Sequence, residues 1–250
     1  MICSMRNLRR RDDAFGLEIC SYLRGGPPFE IAERDDGYVD AAMSTGRYFD
    51  GFRRWPNRQK KAIKHARGRH VLDVGCGAGR VSLYLQAHGF LVTAIDASPL
   101  AIGVCRTRGV SDARVLPIED IGRLPDGQFD TVVFFGNNFG LLGGLRKARR
   151  LLDELYRITT DDAVLIAETV NPYLTTNPAH RRYRQRNRRR GRMPGQIRMR
   201  IRFQACATPW FDYLLVSPAE MQTILKGTGW KVKQFVDRDQ RCYVAIIDKA

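Results

Sequence analysis

The stretch VLDVGCGAGR, residues 71–80, decides the fold of this chain. An apolar strand pattern runs into Asp73, glycines follow at Gly75, Gly77 and Gly79, and a helical pattern then begins. Glycines let the backbone approach a ligand closely, because no Cβ stands in the way. A helix N-terminus after such a turn directs backbone N–H groups at that ligand. The pattern therefore predicts a nucleotide-like ligand.

Two kinds of nucleotide ligand compete for a turn of this type. The dinucleotide fingerprint is G-x-G-x-x-G, but here the third glycine comes one residue early and Arg80 occupies its place. A carboxylate at Asp73 would repel a pyrophosphate and attract an ammonium or a sulfonium. The turn therefore favours a nucleoside that carries a cationic amino acid and no phosphate, which is S-adenosyl-L-methionine.

The segment resembles the first motif of the class I S-adenosylmethionine-dependent methyltransferases, which reads D-x-G-x-G-x-G. The resemblance implies that the residues of the turn, Cys76 among them, contact the cofactor. It also implies that Asp96, which ends the strand pattern 91–95, accepts hydrogen bonds from the ribose hydroxyls, with Ala97 beside it. Cys76 is interpreted as a small filler between two glycines and not as a nucleophile.

Two further parts of the cofactor site follow from the resemblance. Glu119 or Asp120, after the strand pattern 113–117, would receive the adenine amino group. Gly136 and Asn137, after the strand pattern 129–135, would border the methyl-transfer position. A structural role is the alternative for each acid: Asp73 as a helix cap, Asp96 as a turn residue and Glu119 as a solvated loop acid.

Strand and helix patterns alternate along the chain as a parallel sheet requires. The sequence predicts an α/β fold, a Rossmann-like three-layer sandwich with a mostly parallel seven-stranded sheet and an antiparallel last strand. Residues 57–250 form the predicted methyltransferase domain. The resemblance implies that residues 1–56, with a loop-rich stretch at 33–40, form an N-terminal extension or lid over the cofactor.

An insertion at 171–216 follows the fifth predicted strand. Its segment 197–203 alternates apolar residues with arginines, which predicts a strand with one apolar face. The run 210–216 predicts a partner strand, so the insertion is an antiparallel hairpin. Ligands bind at the C-terminal edge of open α/β sheets, and the hairpin is predicted to be the substrate-recognition element.

Charge is concentrated in the same insertion. The chain carries a net charge of +16, and the 11 arginines between Arg181 and Arg202 account for most of it. Either these arginines contact an anionic partner, or they form a solvated face. Six scattered cysteines without a C-x-x-C pair predict reduced thiols in a cytoplasmic protein, with neither a disulfide framework nor a metal site. No run is long enough to predict a membrane span.

The candidate catalytic residues are Asp212, His180 and Tyr213, since a hydroxyl acceptor would need a general base within hydrogen-bond reach. Asp212 has a salt bridge to a hairpin arginine as its alternative role. The leading hypothesis is methyl transfer to a small molecule. Methylation of RNA or another polyanion, and a cofactor-binding protein without turnover, are the alternatives. The acceptor atom and the oligomeric state stay open.

Overall fold

The structure is a computed structural model that describes residues 8–43 and 45–250. Its strands are β1 (Glu30–Arg34), β2 (Val39–Met43), β3 (His70–Val74), β4 (Leu91–Asp96), β5 (Asp112–Val115), β6 (Phe129–Phe134), β7 (Thr159–Val170), β8 (Gln196–Phe203), β9 (Cys206–Ala207), β10 (Phe211–Leu214), β11 (Trp230–Val236) and β12 (Cys242–Lys249). Its α-helices are α1 (Ala14–Leu23), α2 (Asn57–Ala62), α3 (Arg80–Ala87), α4 (Pro99–Thr107), α5 (Leu145–Ile158), α6 (Pro178–Arg189) and α7 (Pro218–Leu225).

The larger sheet has seven strands in the order β11-β12-β7-β6-β3-β4-β5. The pairs β4–β5 and β6–β7 are parallel, whereas β12 runs antiparallel to both β7 and β11. The predicted mostly parallel sheet with an antiparallel last strand is confirmed. The antiparallel strand arises because the chain reverses direction near its C-terminus. The turn between β11 and β12 is too short for the crossover that a parallel pair would need.

Burial explains why these segments are strands. The central run 163–167 of β7 is fully buried, as expected for a strand covered on both faces. In α5, Leu151, Leu152 and Leu155 are buried, while the arginines on the opposite side are exposed. The helix therefore packs one apolar face against the core.

Predicted helix starts also match the structure. Ser98 Oγ accepts a hydrogen bond from the Ala101 N–H at the start of α4 (2.9 Å). At the start of α7, Ser217 and Glu220 form the predicted capping box.

A second sheet has the order β10-β8-β1-β2, and β9 pairs with β8. This sheet corrects the sequence analysis in two ways. The stretch 33–40, predicted as loop-rich, contains the turn of a β-hairpin together with the adjoining ends of β1 and β2, and the strands themselves were not predicted. The predicted insertion hairpin is also not a free-standing pair, because β1 pairs antiparallel with β8. Arg200 and Arg202 donate to Glu33 across this pairing (2.9 and 3.3 Å).

Contacts between residues divide the chain into two compact units. Unit 1 consists of 1–55, 73–118 and 198–211, and unit 2 of 56–72, 119–197 and 212–250. Unit 1 contains the glycine turn and the β1–β2 hairpin. Unit 2 contains the turn after β6, helix α6 and the C-terminal strands. None of the helices in the described ranges is long and apolar enough to cross a membrane.

Candidate functional site

The glycine turn lies in unit 1, between the end of β3 and the start of α3. All three of its glycines have positive φ, and Gly79 adopts the left-handed conformation (φ 79°, ψ 18°) immediately before the helix. A Cβ on Gly79 would lie 2.7 Å from Val110 Cγ2 and 3.0 Å from Cys105 Sγ. Glycine is therefore required at 79 for its conformation and for the packing beneath the turn. The first N–H groups of α3 face the turn.

Asp73, the last acid before the turn, is buried and holds the start of α3. Its Oδ2 accepts from Ser82 Oγ (2.6 Å), and the Ser82 N–H also donates to its carboxylate. Burial raises the pKa of Asp73 to about 6, against the lowering effect of these hydrogen bonds. The helix-capping role considered as the alternative is therefore present.

Asp96 connects the end of β4 to the tip of the glycine turn. Its Oδ2 accepts from the Gly77 N–H (3.0 Å), and its Oδ1 accepts from the Ser98 N–H (2.9 Å). Burial raises the pKa of Asp96 to about 6, although both backbone hydrogen bonds act to lower it. Asp96 and the adjacent Ala97 are each half-buried, so the carboxylate keeps lone pairs that a ligand could use.

Cys76 fills space beneath the turn, as predicted from the sequence. Its thiol is buried, with Sγ 3.6 Å from Cys105 Sγ. The contact with Cys105, together with burial, holds the pKa of the Cys76 thiol well above its ordinary value. A thiol that stays protonated is a poor nucleophile. Five cysteines of the described ranges are free thiols, and Cys3 lies outside those ranges.

Aromatic side chains from the N-terminal segment cover the outside of the turn. A Cβ on Gly77 would lie 3.3 Å from Tyr48 Cδ1 and 3.7 Å from Phe15 Cζ. Asp13 anchors this segment, because its Oδ2 accepts from Ser98 Oγ (2.7 Å). The segment predicted as a lid is therefore in contact with the turn within unit 1.

Sequence analysis missed two buried acids in the same segment, Glu18 and Glu30. Thr45 Oγ1 donates to Glu18 Oε1, and Tyr48 OH donates to Glu30 Oε2 (2.9 Å). Burial raises the pKa of Glu18 to about 8 and that of Glu30 to about 7. Neither acid stands in a motif, so no local pattern marks it.

The turn after β6 belongs to unit 2 and contains Gly136 and Asn137. The Gly136 N–H donates to Glu168 Oε2 (2.7 Å), and Tyr213 OH donates to the Asn137 carbonyl (2.6 Å). Asn137 adopts a left-handed conformation (φ 66°) that few residues tolerate as well as asparagine. Its side-chain oxygen is buried and has no hydrogen-bond partner among the described residues.

Glu168, near the end of β7, is a site residue that sequence analysis missed. Its carboxylate is almost fully buried and accepts from Arg58 Nε and Gln59 Nε2, each at 2.6 Å, besides the Gly136 N–H. Three donors thus fix the carboxylate and, through it, the turn after β6. The sequence signal that could have identified Glu168 is an acidic residue near the end of a parallel strand.

Glu119 and Asp120 lie in a short 3-10 helix, Ile118–Arg123. Lys147 Nζ donates to Glu119 Oε1 (2.5 Å) and to the Leu141 carbonyl (3.0 Å). Glu119 is therefore held in an ion pair with Lys147, and it is not the solvated loop residue considered as its alternative. Asp120 is half-buried.

The three candidate catalytic residues have different surroundings in unit 2. Asp212 is in a salt bridge with Arg192 (2.8 Å), which precedes the β8 strand. His180 is half-buried in the first turn of α6. Tyr213 packs its ring against Gly140 and donates to the Asn137 carbonyl. The structure therefore places Tyr213 beside the turn after β6.

Comparison with known proteins agrees with this geometry. Residues 72–167 match the model of a methyltransferase domain family. A protein of Geobacillus sp. (strain WCH70), provisionally named a methyltransferase, is 24% identical over 54% of this chain and 56% of its own length. A ubiquinone biosynthesis O-methyltransferase of Xanthomonas oryzae pv. oryzae is 41% identical over 26% of this chain and 29% of its own length. The chain thus spans about half or less of these curated relatives.

A solved structure is similar over almost the whole chain. It is a SAM-dependent methyltransferase from Bacteroides fragilis in complex with S-adenosyl-L-homocysteine, with a TM-score of 0.82, 24% identity and 97% of each chain covered. At that identity the likeness establishes the shared fold. The family match at 72–167 contains most of the glycine turn and the ends of the strands beside it, so these residues form a methyltransferase domain, and the chain has the fold of the solved SAM-dependent methyltransferase.

Proposed function

We propose that the protein transfers a methyl group from S-adenosylmethionine to a small-molecule acceptor. The observation that carries the cofactor is the glycine turn of unit 1, whose tip is held by Asp96. The turn presents backbone without Cβ atoms, and the Asp96 carboxylate has lone pairs beyond the two that accept Gly77 and Ser98. These features fit a ribose and an amino-acid moiety without phosphate.

We propose cofactor-contacting residues within each unit. In unit 1 these are Asp73, Gly75, Cys76, Gly77 and Gly79 of the motif, together with Asp96 and Ala97. In unit 2 these are Glu119, Asp120, Gly136 and Asn137. The buried, unpartnered oxygen of Asn137 supports this proposal, because a buried acceptor without a donor is costly unless a ligand supplies one.

S-adenosylmethionine supplies a methyl group on a sulfonium, which is already activated for displacement. The protein then has to position the acceptor and exclude water. Tyr213 and Glu168 hold the turn after β6 in one conformation, so Asn137 is preorganised to accept a hydrogen bond.

The acceptor we propose is a neutral amine or a phenolate, either of which needs little help from a general base. This proposal is supported because two of the candidate bases already interact with other groups of the protein. Asp212 is held by Arg192, and Tyr213 donates its proton to a carbonyl. The name of the ubiquinone biosynthesis relative is consistent with a small-molecule acceptor. We also propose that residues 1–56 act as a lid and that 171–216 select the substrate.

Calorimetric titration with S-adenosylhomocysteine tests the cofactor site. We expect wild type to bind and Asp96→Ala to bind about 10- to 100-fold more weakly, since charge-assisted hydrogen bonds contribute about 1.5–3 kcal/mol. Asp112→Ala is the matched control: it removes an acid of β5 that bonds to Arg114 and Thr93. Equal affinity of wild type and Asp96→Ala would contradict the proposed site.

Incubation with methyl-labelled S-adenosylmethionine and a fractionated extract tests the acceptor class. We expect label in the small-molecule fraction. Label confined to RNA or protein would contradict the proposed acceptor and leave the cofactor site intact. Titratable cofactor binding with no label in any fraction would support the third hypothesis, a binding protein without turnover.

A further inference from the structure

Apart from Arg181, which donates to the Thr176 carbonyl (3.3 Å), the arginines of α6 and the turn after it fall into two groups. Tyr183 and Asn187 form the buried side of the helix. Asn187 Nδ2 donates to the carbonyls of Pro194 and Gln196 (3.0 and 2.6 Å). These contacts within unit 2 fix the rotation of the helix about its axis, and so decide which arginines face the protein and which face outward.

The first group of arginines is part of the packing. Arg184 and Arg188 lie over the ring of Tyr173, with Cζ 5.3 and 5.8 Å from its centroid. The Tyr173 hydroxyl donates to Glu220 Oε1 (2.7 Å), which keeps the ring in place. Arg192 is paired with Asp212. These three side chains therefore have partners within unit 2.

The second group faces outward along one side of α6. Arg182, Arg186, Arg189 and Arg190 line one open groove together with Gln185. Arg182, Arg186 and Arg189 are four and three residues apart, which places them on one face of the helix, and Arg190 follows at its C-terminal end. No acidic side chain in the described ranges, 8–43 and 45–250, forms a salt bridge with these four arginines. We call them the outer arginine face.

Helix stabilisation does not account for this face. Basic residues near a helix C-terminus gain only about 0.3–1 kcal/mol from the macrodipole, and the effect is confined to the last turn. Arg182 is in the first half of α6, where that interaction is unfavourable. Four like charges on one face also repel each other. An external anion would offset this repulsion.

We propose that the outer arginine face binds the sugar–phosphate backbone of a nucleic acid, independently of the acceptor of methyl transfer. Eight residues of helix separate Arg182 from Arg190, which corresponds to about 12 Å. In a double helix each strand carries a phosphate about every 3.4 Å of helix axis, so roughly three to four phosphates match the length of the face, and the four arginines can contact about one phosphate each. Planar guanidinium groups bind phosphate oxygens in pairs.

A membrane surface fits this helix less well. A helix that binds a bilayer by insertion exposes an apolar face beside its basic face. In α6 the side opposite the arginines is formed by Tyr183 and Asn187, and it is buried in unit 2. The arginines are thus presented on a rigid support with no exposed apolar stripe on the helix.

Fluorescence anisotropy with the full chain and a labelled single-stranded RNA of about 20 nucleotides tests the proposal. With four phosphate contacts, the slope of log affinity against log salt is expected near −2.8, about a 50-fold loss between roughly 50 and 200 mM KCl. A single-stranded DNA of the same sequence should bind similarly, since only the backbone is contacted. Vesicles rich in phosphatidylserine are the comparison partner.

Two variants with the same loss of charge separate the face from the overall charge. Arg182, Arg186 and Arg189 are changed to Gln in the first variant. Arg146, Arg149 and Arg150, which are also exposed on one helix, α5, are changed to Gln in the second. The α6 variant should lose at least 10-fold in affinity, and its slope should fall to about −0.7. The α5 variant should stay within about twofold.

Equal losses in the two variants would overturn the proposal, because net charge alone would then explain binding. Salt-insensitive or absent RNA binding would also overturn it, as would α6-dependent binding to vesicles without binding to RNA. Circular dichroism and S-adenosylhomocysteine titration check that both variants are folded. These checks also keep the result separate from the proposed methyltransferase activity.

Discussion

Replacing Gly79 by Ala should be among the most damaging single-methyl changes to the glycine turn. A non-glycine residue in the left-handed conformation costs about 1–2 kcal/mol. The added Cβ would meet Val110 Cγ2 at 2.7 Å and Cys105 Sγ at 3.0 Å, both in buried side chains. Overpacking of this kind costs about 1–3 kcal/mol. The expected loss in the free energy of unfolding is therefore about 2–5 kcal/mol.

Two other glycines provide matched controls for the separate costs. Gly89 also has positive φ (85°), but nothing lies within 4 Å of its Cβ position, so Gly89→Ala should lose only about 1–2 kcal/mol. Gly103 lies inside α4 with open space around it, so Gly103→Ala should stabilise the protein by about 0.5–1 kcal/mol.

Urea unfolding followed by circular dichroism measures all three variants. The expected order of stability is Gly103→Ala, wild type, Gly89→Ala and then Gly79→Ala. Titration with S-adenosylhomocysteine should show weaker binding for Gly79→Ala than for Gly89→Ala, because only the first change moves the turn. If Gly79→Ala proved no less stable than Gly89→Ala, the argument from packing beneath the turn would be refuted.

Three further changes test other parts of the structure. Glu18 should make stability depend on pH. Its pKa is about 8 in the folded protein against an ordinary value of 4.5, so in this range the folded state holds a proton that the unfolded state lacks. The free energy of unfolding should therefore fall as the pH rises from about 5 to about 8. In urea unfolding across that range, Glu18→Gln should show a shallower fall than wild type, and an unchanged slope would argue against a buried, protonated Glu18. Glu168→Ala should lose about 3 kcal/mol in the same assay, because the partly buried Arg58 and the Gly136 N–H lose their acceptor; Glu168→Gln should lose less, and equal losses would count against the role of the carboxylate charge. Tyr213→Phe should lose about 0.5–1.5 kcal/mol and reduce labelled-methyl transfer more than it weakens S-adenosylhomocysteine binding, while an unaltered rate would show that its hydroxyl does not matter for the turn after β6.

The features that were predicted correctly depend on residues that are close together in the chain. The glycine turn, the Ser98 cap and the Ser217–Glu220 capping box depend on residues a few positions apart, so the sequence predicted all three. The mostly parallel sheet followed from the alternation of strand and helix patterns. In contrast, the strands β1 and β2 were not predicted, because their stabilising partner β8 lies more than 150 residues away in the chain.

The candidate site shows the same division. Asp96 was found because it ends a strand pattern at a recognisable distance from the glycine turn. Glu168 was missed, since its partner Arg58 is 110 residues away and nothing local marks the pair. The sequence left two roles open for Asp212, a general base or a salt-bridge partner. Only the tertiary structure shows its salt bridge to Arg192.

By itself, the sequence determined that this protein has a glycine turn after one strand and an acid at the end of the next, and therefore its resemblance to the class I methyltransferases and its mostly parallel central sheet. Only the tertiary structure decided how the arginines of the insertion are used. Arg184 and Arg188 pack on Tyr173, whereas Arg182 and Arg189 face outward. The physical reason is that a backbone turn is specified by neighbouring residues. The partner of a long charged side chain is set by the rotation of its helix and by residues distant in the chain.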